Sequence, residues 1–382
     1  MTGGRRCRRR EKKAGEEDGR NEKIIVIVVE RKEPMKTKRF SKWSKVWAVL
    51  LAAVLAFGLS GCGAGTGSGS SGKKTKDGLK EVDVVLDWYP NAVHSFLYWA
   101  QEKGYFRKEG LKVKIISPAE SVDAINFVAS GKAQVGISYP IDTINAVVNK
   151  HMPVKAIGAV TQKQMVVMIS LQSNSITKDF KTLKGKKIGY DGTNDSKVQI
   201  QAAASYAGLK PEDYELVDVG FDLTTALTSK KVDIVGGPMI NDEVITLRNK
   251  GYKINVFPYT DYGVPECYGL VLDVNSEAYE KDPEMYKGFL RACRKGFRDM
   301  KSDENGTLDL IMKRMSSDSN PLNRKQQKGS YETLLPYMET KDGNFLTMND
   351  ATWNAFIKWM KQQGVTKELC KPSDVMIKPD FR

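Results

Sequence analysis

The stretch VDVVLDWYPNAVHSFLYWAQEKGYF, residues 82–106, places two hydrophobic periodicities side by side. Its first part, VDVVLDW, is rich in β-branched residues and predicts a β-strand. In its second part Val93 and Leu97 are four residues apart and begin a helical pattern. Asp87 and Trp88 stand at the junction of the two. A strand that leads directly into a helix is the repeating unit of α/β folds, so we expect an α/β protein.

The same alternation continues along the chain. β-rich runs and helical patterns follow one another through residues 82–258, which predicts parallel or mixed sheets covered by helices. From about residue 283 the pattern is mainly helical. We therefore expect two α/β lobes with a cleft, and a C-terminal helical tail that returns to the first lobe. Lobe 1 would comprise residues 82–165 and 268–382, and lobe 2 residues 166–267.

In open α/β sheets, ligands bind beyond the carboxyl ends of the strands. The segments at those ends carry polar and aromatic side chains, and they are residues 87–94, 138–142, 190–196 and 236–243. We expect a ligand-binding cleft where these segments meet.

The formal net charge of +14 suggests nucleic acid or an anionic membrane as a partner, but its location argues against nucleic acid. Residues 1–45 hold sixteen Lys and Arg against seven Asp and Glu, so they carry +9 of the +14. The remainder has no basic stripe interleaved with aromatic residues, so nucleic-acid binding is not expected.

The N-terminal region has the order of features of an export signal. The basic stretch KTKRFSKWSK precedes the fifteen-residue apolar run Val46–Ser60, which is shorter than the roughly 20 residues of a membrane-spanning helix. The run ends in LSGC, which resembles the lipobox of bacterial lipoproteins, whose cysteine, here Cys62, is lipidated. We predict a lipoprotein signal peptide over residues 35–61 and a flexible Gly/Ser tether over residues 62–81. The alternative is a short buried helix with a chance cysteine.

Residues 1–34 fit none of this pattern. A signal peptide that begins at Met35 has normal proportions, so we interpret residues 1–34 as the product of a misassigned start or as a long n-region. A functional basic arm is the alternative. The sequence does not distinguish Met1 from Met35 as the true start.

The remaining cysteines and histidines give no pattern for metal binding. Cys267, Cys293 and Cys370 are widely spaced, no CxxC occurs, and the chain has only His94 and His151 besides. We predict no metal and no cofactor. The odd number of cysteines leaves the disulfide state open.

One family carries the same motifs. The opening DWYPNAVHSFLYWAQEKGYFRKEGL resembles solute-binding proteins of ABC importers, in particular the branch that binds pyrimidine precursors of thiamin, with its pattern D-W-x-P-N-x-x-H followed by G-Y-F-x-x-x-G-L. Further matches are LKGKKIGYDGT, VDIVGGPMINDE and YGVPECYGLVL. The resemblance implies a type II periplasmic-binding-protein fold, a small-molecule ligand, and an ABC permease with its ATPase as partners. With the lipobox, it implies a monomer that is extracytoplasmic and lipid-anchored to the cell membrane.

The same branch includes a eukaryotic enzyme that makes the thiamin pyrimidine from a histidine and pyridoxal phosphate. That enzyme has a cysteine-rich iron motif, which this chain lacks, and this chain carries an export signal. We therefore expect a binding protein and not an enzyme, with a thiamin-related aminopyrimidine as ligand. The alternatives are a synthase-like enzyme, a binding protein for riboflavin or sulfonates, and a structural lipoprotein. Pro238 and Met239 stand where pyrimidine binders often have an aromatic residue.

Aromatic and acidic side chains at the strand ends are the first candidate ligand contacts. A flat heteroaromatic ligand would stack on Trp88, with core packing as the alternative, and Tyr139 is a second stacking candidate with the same alternative. Asp87 would be costly to bury without a partner. It either accepts N–H bonds from a ligand or holds the loop of residues 90–94.

Asn91, His94 and Glu266 have two interpretations each. Asn91 structures the turn or contacts the ligand. The resemblance places His94 by the cleft, as a ligand contact or as a helix-start residue, and no Ser/His/Asp set accompanies it for catalysis. Glu266 lies where the chain should cross back between the lobes, as a hinge or a pocket residue.

The second half of the chain supplies the other candidates. Gly192, Thr193 and Asn194 precede a predicted helix, where free N–H groups favour an anion or a polar ligand atom, with helix capping alone as the alternative. Asn241 and Glu243 match the N-x-E of the family. The carboxylate of Glu243 could accept two parallel N–H bonds from an aminopyrimidine edge.

Overall fold

The computed structural model describes residues 75–117, 123–220, 222–318 and 320–381. The predicted lipidation site Cys62, the signal peptide and the N-terminal extension lie outside these residues, as does most of the tether. Among the residues described, no helix is long and apolar enough to cross a membrane.

Two five-stranded mixed sheets form the framework of the protein. The first has the order β2-β1-β3-β10-β4, in which β1 is parallel to β2 and β3, and β10 is antiparallel to β3 and β4. Its strands are β1 (Lys80–Val85), β2 (Leu111–Ile116), β3 (Val135–Ser138), β4 (Val154–Ala159) and β10 (Val271–Asn275). The strand and helix predicted from residues 82–106 are both present.

The second sheet repeats this plan. Its order is β7-β6-β8-β5-β9, with β6 parallel to β7 and β8, and β5 antiparallel to β8 and β9. Its strands are β5 (Val166–Leu171), β6 (Lys187–Tyr190), β7 (Glu215–Asp218), β8 (Ile234–Met239) and β9 (Ile254–Pro258). In each sheet one strand, β10 or β5, runs antiparallel to both of its neighbours, and it is the first strand after the chain arrives from the other sheet. The bilobal α/β fold class is confirmed, whereas the predicted lobe boundaries stay a prediction.

Helices cover the sheets and form the C-terminal part of the chain. They are α1 (Ser95–Glu102), α2 (Tyr105–Lys108), α3 (Asp123–Ala129), α4 (Pro140–Val148), α5 (Asn194–Tyr206), α6 (Leu223–Thr228), α7 (Glu243–Asn249), α8 (Ser276–Lys281), α9 (Pro283–Ser302), α10 (Glu304–Arg314), α11 (Arg324–Met338), α12 (Asp350–Gln362) and α13 (Pro372–Val375). Short 3-10 helices span Ala92–His94, Gln172–Asn174, Phe180–Leu183, Pro211–Asp213 and Tyr259–Tyr262.

The chain passes between the sheets twice, at residues 160–165 and 259–270, and the two connections are bonded to each other. The N–H groups of Val160 and Thr161 donate to the carbonyl of Leu270, at 2.8 and 3.2 Å, and the N–H of Leu270 donates to the hydroxyl of Thr161 at 2.9 Å. Both connections are therefore held as one paired segment between the sheets.

The C-terminal helices bury apolar faces against the first sheet and its helices. Helix α9 packs on α1 so closely that a Cβ placed at Gly296 would overlap the carbonyl oxygen of Phe96. Beyond α13, the N–H of Ile377 donates to the carbonyl of Ala156 in β4 at 2.8 Å, so the tail ends beside the first sheet.

Candidate functional site

The carboxyl ends of four strands, two from each sheet, border one cleft. Strand β1 leads to Asp87 and Trp88, and strand β3 leads to Tyr139, while β6 and β8 supply the facing wall. The cavity between them has a volume of ≈ 390 Å³, which is the size of a site for one small molecule. Its lining residues are Asp87, Trp88, Tyr139, Ile141, Asp142, Asn145, Val166, Asp191, Thr193, Asn194, Asp195, Ser196, Gly237, Met239 and Val365.

A buried hydrogen-bond relay holds Asp87 at the edge of the cleft. The backbone N–H of Asn91 donates to Nδ1 of His94 at 3.2 Å, so the ring proton lies on Nε2. That Nε2–H donates to Oδ1 of Asp87 at 2.8 Å. His94 is fully buried and contacts Asp87, and Asn91 caps the 3-10 helix by accepting from Val93 N–H at 3.0 Å. Both residues orient the carboxylate, and neither lines the cavity.

Two aromatic side chains line the same cavity. Trp88 is 37% exposed and stands edge-on to Tyr89, with 5.9 Å between the ring centroids. Tyr139 is half-buried at the start of α4. Burial raises the pKa of the Tyr139 phenol well above its ordinary range, and the charges of the surrounding carboxylates raise it further. The phenol therefore keeps its proton and can donate a hydrogen bond, whereas stacking of a ligand on Tyr139 stays a prediction.

Two helices that begin at the cleft and one beside it each carry a carboxylate in the first turn, namely Asp142 in α4, Asp195 in α5 and, outside the lining, Glu243 in α7. Burial is the main cause of their raised pKa values, about 6 for Asp142 and about 7 for Asp195 and Glu243. Neighbouring carboxylates add to each shift, Asp273 acting on Asp142, Asp142 on Asp195, and Asp242 on Glu243. The cleft is thus a cluster of partly desolvated acids.

In the loop before α5, polar groups form hydrogen bonds with one another. Oδ1 of Asp191 accepts from the N–H of Thr193 at 3.0 Å and from its hydroxyl at 2.7 Å, and that hydroxyl accepts the N–H of Ser196 at 3.2 Å. Gly192 has φ +80°, a conformation that strains other residues, and a Cβ there would also lie 2.9 Å from a carboxylate oxygen of Asp218. The N–H groups of Thr193 and Ser196 are thus already bonded, and Thr193 caps helix α5.

The other predicted residues lie around the cleft without lining it. Nδ2 of Asn241 donates to the hydroxyl of Ser330 at 3.2 Å, and Glu243 accepts the N–H of Met239 at 2.7 Å. Glu266 is exposed and accepts the N–H of Gln164 at 3.1 Å, beside the paired connections. Their roles in binding stay predictions.

Sequence reasoning found the strand-end segments but missed most of the acids within them. Asp142, Asp191 and Asp195 belong to the predicted strand-end segments, but the sequence does not mark them as cleft residues, because an acid in or just before the first turn of a helix is also a common cap. The available signal was that each of the three acids follows the end of a predicted strand, where ligands bind in this class of fold. Ile141, Asn145 and Val365 carried no signal that separates them from core or surface residues.

The two sheets and the cleft between their strand ends have the fold of periplasmic binding proteins. The structure is similar to the periplasmic aliphatic sulphonate binding protein SsuA from Escherichia coli, with a TM-score of 0.62, 14% identity, and coverage of 79% of this chain and 93% of that one. It is also similar to a Candida albicans protein with the generic periplasmic binding protein fold, with a TM-score of 0.58 and 15% identity, over 80% and 98% of the two chains.

The chain belongs to the NMT1/THI5-like family, whose model matches residues 91–305. It is 35% identical over 287 residues to a formylaminopyrimidine-binding protein from Halalkalibacterium halodurans, covering 74% of this chain and 86% of the relative. It is also 29% identical over 299 residues to a 4-amino-5-hydroxymethyl-2-methylpyrimidine phosphate synthase from Uromyces fabae, covering 75% and 84%. Family and fold together support a solute-binding role.

Proposed function

We propose that this protein is the extracytoplasmic solute-binding lipoprotein of an ABC importer and that it captures a thiamin-related aminopyrimidine. The observation that carries the proposal is the cleft, whose walls combine the aromatic side chains of Trp88 and Tyr139 with a cluster of carboxylates. The Halalkalibacterium relative, named for formylaminopyrimidine binding, supports the choice of ligand class.

The chemistry of an aminopyrimidine fits these walls. Its flat ring would stack on an aromatic face, which contributes about 0.5–1.5 kcal/mol beyond area burial. Its exocyclic amino group is a donor of two N–H bonds, and Asp87, oriented by His94, is a fixed acceptor at the rim of the cleft. The phenol of Tyr139 would donate to a ring nitrogen.

A pyrimidine synthase is the rival function, because several relatives carry that name. The eukaryotic enzyme works with pyridoxal phosphate, which such enzymes hold as a Schiff base on a lysine. Among the described residues that line the cleft there is no lysine, so this cavity offers no amine for that bond. A structural lipoprotein, the third interpretation, predicts a filled cleft, and the cavity of ≈ 390 Å³ argues against it.

Closure of the two sheets over the ligand would create the form that docks on the permease. The paired connections at residues 160–165 and 259–270 would be the hinge, because hinges are short segments that join rigid units. Lipidation of Cys62 and the tether behind it would hold the protein near the permease at the membrane surface.

Titration of the purified chain with 4-amino-5-hydroxymethyl-2-methylpyrimidine and with formylaminopyrimidine tests the proposal. A ligand that binds only the folded form stabilises it by about 2.7 kcal/mol at 100-fold over Kd, so the melting temperature should rise and tryptophan fluorescence should be quenched. The absence of any shift with these pyrimidines, together with a clear shift with riboflavin or an aliphatic sulfonate, would contradict the choice of ligand.

A further inference from the structure

We infer that the cleft selects its ligand by charge: it accepts the unphosphorylated aminopyrimidine, neutral or cationic, and rejects the phosphate ester of the same ring and other anions. The inference rests on the proposed function for the choice of an aminopyrimidine ring as ligand, and it adds a preference for the charge of that ligand. It would separate this protein from chains of the same fold that bind sulfonates.

The charges that line the cleft have one sign. Asp87, Asp142, Asp191 and Asp195 all contribute to its walls, and the described lining residues include no lysine, arginine or histidine. A cation does act on the site from outside, because Lys150 lowers the pKa of Asp142, but burial and Asp273 outweigh it. An anionic ligand would therefore be desolvated against carboxylates without a balancing cation, and like charges brought together in an interface are strongly unfavourable.

Helix N-termini are the usual alternative site for an anion, and here the protein's own groups occupy them. Helix α4 begins with Pro140, which has no N–H, and carries Asp142 in its first turn. At the start of α5, Thr193 and Ser196 already donate their N–H groups to side-chain oxygens, and Asp195 follows Asn194. Each of the two long helices that begin at the cleft thus carries a carboxylate in its first turn, and part of its N–H groups is absent or already bonded.

Unpartnered buried atoms beside the cleft are acceptors as well. A side pocket of ≈ 20 Å³ shares Tyr139, Ile141, Val166 and Asp195 with the cleft and is also lined by the two amides Gln164 and Gln199. Gln199 is 4% exposed and donates its Nε2 to Asp195 at 3.0 Å. The Oε1 atoms of Gln164 and Gln199 have no hydrogen-bond partner in the part of the chain that the structure describes.

These atoms lack a donor, and a ligand whose N–H groups reach the side pocket would supply one. Ester phosphate oxygens are acceptors and carry negative charge, so they would satisfy neither these amides nor the carboxylates. An amino group or a ring N–H⁺ would satisfy both. The same chemistry favours donor-rich ligands and disfavours anions at one site.

The test measures the affinity of the intact chain for two pairs of probes by calorimetry. The first pair is 4-amino-5-hydroxymethyl-2-methylpyrimidine and its phosphate monoester, with the uncharged acetate ester as a control for size. The second pair is benzamidine, a cation, and benzenesulfonate, an anion, which share a ring that is not a pyrimidine. We expect the alcohol to bind at least about 100-fold more tightly than the phosphate, the acetate ester to lie nearer the alcohol, and benzamidine to bind more tightly than benzenesulfonate.

Charge variants identify the source of the selection. The affinities are measured at pH 8, above the pKa values of about 6 for Asp142 and about 7 for Asp195, so that both carboxyl groups are ionised. Asp142→Asn, Asp191→Asn and Asp195→Asn, combined in one chain, should narrow the ratio of the affinities for the alcohol and the phosphate by at least about tenfold, because negative charge is removed from the cleft. Asp261→Asn, an exposed acid outside the cleft lining, is the matched control and should leave the ratio unchanged.

The possible outcomes separate the inference from the proposed function. A phosphate ester that binds as tightly as the alcohol, or an acetate ester rejected as strongly as the phosphate, overturns the inference and leaves the pyrimidine function standing. Failure of both pyrimidines with benzamidine preferred over benzenesulfonate overturns the function and supports the charge selection. A preference for benzenesulfonate, or binding of neither pair, overturns the inference.

Discussion

At the scale of single residues, Trp88 is partly exposed at the cleft, whereas Asp273 is fully buried in the first sheet. Trp88 follows β1 and keeps 37% of its surface exposed, so its ring is available to the cleft. Asp273 lies in β10 with no exposed surface, and it accepts hydrogen bonds from the hydroxyls of Ser138 and Thr143. One residue should therefore report on binding and the other on stability.

Trp88→Ala should weaken aminopyrimidine binding at least about tenfold, because it removes a stacking surface and the apolar area that the ligand covers. The free energy of unfolding should change little, since the side chain is partly exposed without ligand. Trp88→Phe keeps a ring and should lose less affinity. Calorimetry and denaturant unfolding of both variants measure the two effects. A loss of about 3–5 kcal/mol of stability with unchanged affinity would instead assign Trp88 to the core.

Asp273→Asn should change how stability depends on pH. Burial raises the pKa of Asp273 to about 7, far above the roughly 3.9 of an unfolded chain. Between these values the folded form holds a proton that the unfolded form releases, so the contribution of this group to stability is fully present below about pH 3.9 and is lost as pH rises through about 7. The variant should lose this part of the fall and gain most relative to the parent above pH 7.

Thr143→Val is the matched variant, which should strengthen the pH dependence that Asp273→Asn removes. The hydroxyl of Thr143 donates to both carboxylate oxygens of Asp273, at 3.0 and 3.1 Å, and this contact lowers the pKa of Asp273. Its removal should raise that pKa further and extend the fall in stability to higher pH. Unfolding free energies measured from pH 4 to pH 9 compare the three chains. Parallel curves for all three would show that Asp273 does not govern the pH dependence.

At the scale of elements, the sequence allowed prediction of the strands that alternate with helices and of the edge where they end. Strands β5 and β10 were not predicted as strands. Both are buried, antiparallel members at interior positions of their sheets, reached from the other sheet. A short apolar run lacks the alternation and turn residues that mark a hairpin strand, and its partners are distant in sequence. The acids of the cleft were missed for a related reason, because only the tertiary structure shows that they face each other.

Helices α1 and α9 meet at a glycine. A Cβ at Gly296 would overlap the carbonyl oxygen of Phe96 and lie 2.9 Å from the N of Ala100, both backbone atoms that cannot move alone. Gly296→Ala should therefore destabilise the protein by about 1–3 kcal/mol, although alanine is the better helix former by about 1 kcal/mol. Gly288→Ala on the same helix is the control. Its Cβ would lie 3.3 Å from the side chain of Glu109, which is a milder contact than the backbone overlap at Gly296, so this variant should lose less stability. Equal melting temperatures for the two variants would contradict the close approach at Gly296.

At the scale of the whole molecule, the proposed lipid anchor at Cys62 leads to a prediction about location. Cys62→Ala should leave the precursor unprocessed or release the protein from the membrane fraction, because the lipobox would lose its lipidated residue. Fractionation and mass spectrometry of the N-terminus measure both. Expression from Met35 is the companion experiment, and normal export from that start would show that residues 1–34 are dispensable. Processing and membrane retention of Cys62→Ala equal to the parent chain would refute the anchor.

The central place of β10 between β3 and β4 has a consequence for how the chain acquires its structure. The second sheet is complete within the contiguous residues 166–258, whereas the first sheet lacks an interior strand until residues 271–275 arrive. A chain that emerges from a translocation channel with its N-terminus first would therefore expose two unpaired strand edges while the second sheet already folds. Long sequence separation slows such pairing, and open edges invite association with other chains. The fold is thus most vulnerable to aggregation and to proteases during the interval before its last strand is delivered.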